Sequence, residues 1–248
     1  MNLGKKLGMR VASASILLLQ FSWNTPVYSQ SSEMELLASL RPVDDAMLSD
    51  PSEQDWLIWR RNYASYGHSP LDQINKANVT NLELAWEIEL ETGPNTPTPL
   101  VHDGVLYLLS TRDTLLALSA ISGKELWRYR HESSEAPSSK IGIALYGNKV
   151  LMPTADLHMV ALDHKSGEVI WDTGINTERS GVLPYALRGA PVIAGGILVQ
   201  GVTATFMPGG GFIVGLDLET GQEVWRFNTV AWPGEPGGNT WNDIPLEE

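Results

Sequence analysis

Three segments of the chain align without a gap: Ala117-LSAISGKEL-Trp127, Ala161-LDHKSGEVI-Trp171 and Gly215-LDLETGQEV-Trp225. Each reads small residue, Leu, polar residue, three more residues, Gly, three more residues, Trp. Asp163 and Asp217 can accept a hydrogen bond from backbone two residues on and so start a turn; Ser119 does this more weakly in the first copy. Gly123, Gly167 and Gly221 stand where such a turn needs positive φ. The pattern predicts a strand, a tight turn and a returning strand that ends at the Trp.

A second hairpin lies upstream of each segment. PLVHDGVLYLL turns at Asp103-Gly104, IALYGNKVLMP at Gly147-Asn148 and PVIAGGILVQG at Gly195-Gly196, with the Gly, Asn and Asp that two-residue primed turns require. Gly104 to Trp127 and Asn148 to Trp171 are equally spaced, while the third copy is longer, with TFMPGGG (205–211) placed to hold the excess. Each copy therefore predicts four antiparallel strands in the ~40–45 residues of a propeller blade. One such sheet cannot bury both of its faces, and stacking like sheets around an axis does. The fold class predicted is an all-β propeller of four-stranded blades, with the repeated Trp filling the space between neighbours. Residues 82–90 (LELAWEIEL) add one more predicted strand, with Trp86, ahead of the first blade. Beyond its first 29 residues the chain has room for about four blades at ~45 residues each, but no fourth sheet is read after Trp225, so the ring is expected to be incomplete. The stretch after Trp225 reads as loop.

Composition narrows the function. The net charge is −12, apolar residues are 43% and charged residues 19% of the 248, values of a folded acidic chain and not of a disordered one. The acid excess argues against a nucleic-acid partner. The absence of cysteine excludes disulfides, thiolate metal sites and thiol catalysis. Lys5, Lys6 and Arg10 precede a short apolar run, Val11 to Trp23, and the small residues Val27 and Ser29 suit cleavage before Gln30. Residues 1–29 read as a secretory signal. The run is shorter than the ~20 residues of a spanning helix, so no stable membrane span is expected and the location implied is the periplasm. Residues 30–50 read as a short amphipathic helix and a polar linker, leaving 51–248 as the partial propeller.

The Trp repeat resembles the docking motif of quinoprotein alcohol dehydrogenases, which use pyrroloquinoline quinone (PQQ). Asp55-Trp56, Tyr63, SPLDQIN (69–75), Val79, Asn81-Leu82, Ala85-Trp86, TPLVHDG (98–104), Gly189-Ala-Pro191 and Arg226-Phe-Asn-Thr229 with PGEPGG (233–238) resemble the opening of the same family. The resemblance implies an eight-bladed ring, of which this would be about half, with PQQ on the axis and a metal, usually calcium, beside it. It implies hydride transfer from a small alcohol to the quinone, aided by an Asp base, and electrons passed singly to a periplasmic cytochrome c.

Carried over residue by residue, Thr154 matches a family Thr that hydrogen-bonds PQQ; the alternative is a strand-end Thr that serves backbone. Arg188 stands where better-known members carry Ser or Thr facing PQQ, and could pair with a PQQ carboxylate; the alternative is a solvated loop arginine. Lys140 sits where the family has basic residues near the cofactor, but reads rather as a surface-loop lysine. Thr205 replaces the usual calcium-binding Glu, Thr96 falls where many members have a cofactor-facing Glu, and ESSEAPSSK (132–140) replaces an adjacent Cys pair. The catalytic base is expected beyond residue 248, so no catalytic residue is assigned, and the chain is expected to be inactive alone. Trp232 and Trp241 read as loop aromatics. His68, His102, His131, His158 and His164 show no metal-ligand spacing, and GGGF (209–212) lacks the helix and Lys of a phosphate loop. The alternative function is a non-catalytic propeller that binds proteins in the periplasm.

Overall fold

Alternation of apolar residues around two-residue turns produces hairpins, and the computed structural model of the chain builds them into three sheets. The structure describes residues 30–133, 140–177, 185–204, 210–231 and 234–240. The predicted signal, Thr205, Trp232, Trp241 and most of the stretch 132–140 lie outside the described residues.

Blade 1 holds β1 (Leu100–His102), β2 (Val105–Ser110), β3 (Thr114–Ser119) and β4 (Glu125–Arg130), antiparallel and in chain order. Blade 2 repeats this with β5 (Ala144–Tyr146), β6 (Lys149–Pro153), β7 (His158–Asp163) and β8 (Val169–Gly174). A short strand β9 (Tyr185–Ala186) precedes blade 3, which holds β10 (Val192–Ala194), β11 (Ile197–Ala204), β12 (Phe212–Asp217) and β13 (Glu223–Asn228). β9 pairs with the long end of β11. The same bulge recurs in all three blades, between Ala117 and Leu118, Ala161 and Leu162, and Gly215 and Leu216. In each, the small residue before the bulge faces the Trp of the last strand.

Two apolar cores lie between consecutive sheets. Leu109, Leu115 and Trp127 of blade 1 pack with Val150, Met152, Val160 and Leu162 of blade 2. The opposite face of blade 2 offers Leu151, Met159, Ala161 and Trp171 to Leu198, Val202, Val214 and Leu216 of blade 3. β6 is buried at every residue because both of its faces meet a neighbour.

The tryptophans join one blade to the next by a fixed rule. Trp86 Nε1 donates to the Ala120 carbonyl at 3.1 Å, Trp127 Nε1 to His164 at 3.2 Å and Trp171 Nε1 to Leu218 at 3.1 Å. Each acceptor lies three residues before the glycine of the next repeat. A Cβ at Gly123, Gly167 or Gly221 would stand 2.5–2.6 Å from the indole of Trp86, Trp127 or Trp171, and φ is +71°, +73° and +70°. Glycine is thus required twice over, for the turn and for the ring that lies on it. Asp163 Oδ1 accepts from the backbone of Lys165 and Ser166, and Asp217 Oδ1 from Glu219 and Thr220, the turn contacts read from the sequence.

Residues 82–90 differ from their prediction. They run outside any ladder of the described residues, with Leu82 and Leu84 exposed, and Trp86 docks on the β3–β4 turn of blade 1. The stretch 30–50 is more than a helix and a spacer. It holds α1 (Gln30–Ser39) and α2 (Asp45–Ser49), and Leu40, Val43 and Leu48 are buried in the first core. This strap ties to blade 1 through Glu33–Lys124, to blade 2 through the Val43–Gly147 bridge and, further on, to blade 3 through the Tyr63 hydroxyl donating to Ile193. It covers the end of the sheets where the first hairpins turn. No helix of the described residues is long and apolar enough to cross a membrane.

Candidate functional site

The opposite end of the sheets carries a rim made from the segments that lead into the first strand of each blade. Thr98 N donates to the Ile141 carbonyl and Ile141 N to the Arg188 carbonyl, both at 2.8 Å, so that the three leads form a row from blade 1 to blade 3. β5 and β10 also touch, which makes these first strands the inner edge where blades converge. The Thr96 hydroxyl donates to the Lys140 carbonyl at 3.2 Å. Behind the row, Gln200 Nε2 donates to Gly189 O at 3.2 Å, and its buried Oε1 has no partner among the described residues.

Thr96, Lys140 and Arg188 are equivalent, each four residues ahead of its first strand. Their fates differ. Lys140 is buried, and its Nζ donates to Asp113 Oδ1 at 2.5 Å, so it is no surface-loop lysine. Asp113 lies in the β2–β3 turn of blade 1 and is buried with it; its other oxygen accepts from Ala155 N at 2.6 Å. Arg188 is exposed and forms no ion pair among the described residues. The reason is one residue. Asp113 accepts from His131 N and Leu157 from Ile175 N, which places Leu157 in blade 2 where Asp113 stands in blade 1. Both have positive φ, +52° and +67°. The position that neutralises the lysine of blade 2 carries an apolar side chain for the arginine of blade 3.

Thr154 is fully buried next to this row, in the β6–β7 turn. Its Oγ1 donates to Asp156 Oδ1 at 2.5 Å and accepts from His158 N at 2.8 Å. Burial works against ionisation of Asp156, but the hydroxyl of Thr154 and the ring of His131 hold it below the usual carboxylate range. No bond joins Thr154 to Arg188 among the described residues.

The sequence model for the PQQ glucose/ethanol/alcohol dehydrogenase β-propeller domain matches residues 56–245. The chain belongs to this PQQ propeller family. Quinohemoprotein alcohol dehydrogenase ADH IIB of Pseudomonas putida is 36% identical over 211 residues, which are 81% of this chain and 30% of that one. The 1-butanol dehydrogenase (quinone) of Thauera butanivorans is 34% identical over 77% of this chain and 34% of its own. The crystal structure of quinohemoprotein alcohol dehydrogenase from Comamonas testosteroni superposes with a TM-score of 0.71 at 29% identity, over 82% of this chain and 32% of that one. The chain thus spans about a third of the length of these relatives.

The rim fits part of a PQQ site. PQQ is a tricarboxylate, and Arg188 offers an exposed guanidinium fork suited to a carboxylate. The fit does not extend to a metal. Two groups of three possible ligands occur among the described residues, His131/His158/Asp172 and Asp55/His102/Asp103, and neither includes a rim residue. Thr205, the position the resemblance gives to a calcium-binding carboxylate, is outside the described residues. The sequence reading missed Asp113 and the contrast with Leu157. Alignment of the β2–β3 and β6–β7 turns would have shown it, since both lie one residue before a strand that begins the docking repeat.

Proposed function

We propose that this chain supplies the first blades of a PQQ-dependent dehydrogenase that oxidises a small alcohol, works in the periplasm and passes electrons to a cytochrome c. The observation that carries this reading is the row of backbone bonds from Thr98 through Ile141 to Arg188, which presents one exposed arginine at the inner edge of three family blades. When bound, PQQ supplies the hydride acceptor and the return of electrons one at a time. The part of this chain is to hold and orient. Arg188 binds a carboxylate of the cofactor. The shared rim keeps the three leads in register, so the arginine is displayed on a fixed backbone. The Lys140–Asp113 pair, tied to Ala155 N, braces the row from behind. No described residue is assigned the base, and the described blades alone are proposed not to turn over. Calcium, if the complete site uses it, draws its carboxylates from outside the rim. Export is supported by Lys5, Lys6 and Arg10 ahead of a short apolar run, and a net charge of −12 suits a basic cytochrome.

Titration of the chain with PQQ, followed by quenching of tryptophan fluorescence, tests the reading. Saturable binding is expected, weakened about 10-fold or more by Arg188→Ala, the scale of a charged hydrogen bond. Absence of saturable binding, or no effect of the substitution, would refute it. With PQQ, calcium, an alcohol and a dye acceptor, no alcohol-dependent dye reduction is expected; robust reduction would overturn the assignment of the base to residues elsewhere.

A further inference from the structure

His131, His158 and Asp172 meet at the junction between blades 1 and 2, and none of them belongs to the row that ends on Arg188. His131 follows β4 of blade 1, while His158 opens β7 and Asp172 lies in β8 of blade 2. One donor atom from each lies within 4.8 Å of the other two. His158 Nδ1 is 2.6 Å from Asp172 Oδ1, His131 Nδ1 is 3.8 Å from Asp172 Oδ2, and the two imidazole centroids are 5.4 Å apart. His131 is buried, and its Nε2 lies 3.0 Å from Asp156 Oδ2. Asp156 is held in turn by the Thr154 hydroxyl. A carboxylate on one ring nitrogen sets the tautomer and leaves the other nitrogen as a lone pair, the arrangement that orients metal-bound imidazoles. Here that second nitrogen faces Asp172 and the Tyr129 hydroxyl, 3.4 Å away.

The surroundings favour a cation. The carboxylates of Asp156 and Asp172 stand 3.0 and 3.8 Å from the two ring nitrogens of His131. Lys140, the cation tied to the same turn, already pairs with Asp113.

We infer that His131, His158 and Asp172 bind a divalent transition metal of the zinc type, with Asp156 orienting His131. Two imidazoles and one carboxylate match the donors zinc selects, whereas calcium asks for six to eight oxygens. The ligands come from two blades, so the metal clips the tail of β4 to β7 and β8. A fourth position is left to water on the side where His158 and Asp172 reach solvent, at 36% and 35% exposure.

Calorimetric titration of the untagged, chelator-treated chain with zinc chloride and with calcium chloride tests this. One zinc per chain is expected, far tighter than calcium, with a rise in Tm, since a ligand bound only by the native state stabilises it. His158→Gln and Asp172→Asn, both at partly exposed positions, are expected to weaken zinc about 10-fold or more and to remove the Tm rise, on the scale of lost ligand-shell groups. His68→Gln, at an exposed residue far along the chain, is expected to change neither. Cobalt absorption of the unsubstituted chain gives a check that needs no variant: an intense visible band of a four-coordinate ion is expected. No zinc binding, zinc binding undiminished by both substitutions, or a weak six-coordinate cobalt spectrum would each overturn the site.

Discussion

In blade 2, Trp171 is 9% exposed and β6 is buried from end to end; in blade 3, the equivalent Trp225 is 41% exposed, and Phe227 two residues on also faces outward. The two blades carry the same repeat. What differs, among the described residues, is whether a following turn offers its glycine and its carbonyl. Trp171 has Gly221 and Leu218, whereas Trp225 lies back over its own sheet, where a Cβ at Gly215 would come within 2.2 Å of the ring. Ala117 and Ala161 hold that place in blades 1 and 2. The repeat therefore encodes half of a joint, and burial belongs to the joint.

That comparison can be broken first at the rings themselves. Trp171→Ala is expected to cost about 3–5 kcal/mol, as loss of a buried aromatic does, and Trp225→Ala less than about 1 kcal/mol; urea midpoints measure both. Equal costs would mean that docking does not decide stability. The second contrast is between equivalent cations. Lys140→Met leaves Asp113 buried without its partner and is expected to cost about 3 kcal/mol, while Arg188→Met is expected to stay within about 0.5 kcal/mol. The same urea midpoints decide.

A third test uses pH. His164 is buried in blade 2 where blade 3 carries Leu218. Burial pushes its imidazole down to about 4, against the pull of Asp163 and with help from His102. A depressed histidine is neutral in the native state and binds a proton on unfolding near pH 6.5. Its stability contribution is therefore complete above pH 6.5 and is lost as the pH falls toward 4, by on the order of 3 kcal/mol. His164→Leu, which gives blade 2 the residue of blade 3, is expected to flatten the fall between pH 6.5 and 5. His102 shifts the opposite way: burial opposes it, but Asp55, the Arg41 carbonyl and Asp103 raise it, and it is unchanged in the comparison. The smallest effect is expected from Leu157→Asp, which gives Arg188 the acidic neighbour that Lys140 has; PQQ affinity is expected to fall several-fold with little change in fold stability.

The blades were legible because their signals are local. Turn residues, the alternation of strands and the interval from Gly to Trp all fall within one repeat, and so the sheets, the hairpins and the role of Trp127 and Trp171 could be read directly. Residues 82–90 misled for the same reason: LELAWEIEL has the alternation of a strand, but a ladder needs a partner in register, and alternation does not supply one. Lys140 was hidden because its partner lies in the preceding blade, 27 residues earlier. His131 and Asp156 are 25 residues apart, and His158 and Asp172 14 apart, on strands and turns of two sheets. No metal-ligand spacing along the chain describes a group assembled across a junction.

The indole bonds run one way only, each from a tryptophan to a carbonyl 34, 37 or 47 residues further on. A chain made from its N-terminus can therefore seal one of these indole junctions before the next is synthesised, while the strap waits for Gly147 and Ile193 to be made. In such an order the newest sheet is the one whose tryptophan has yet to find its carbonyl, and each successor covers the one before.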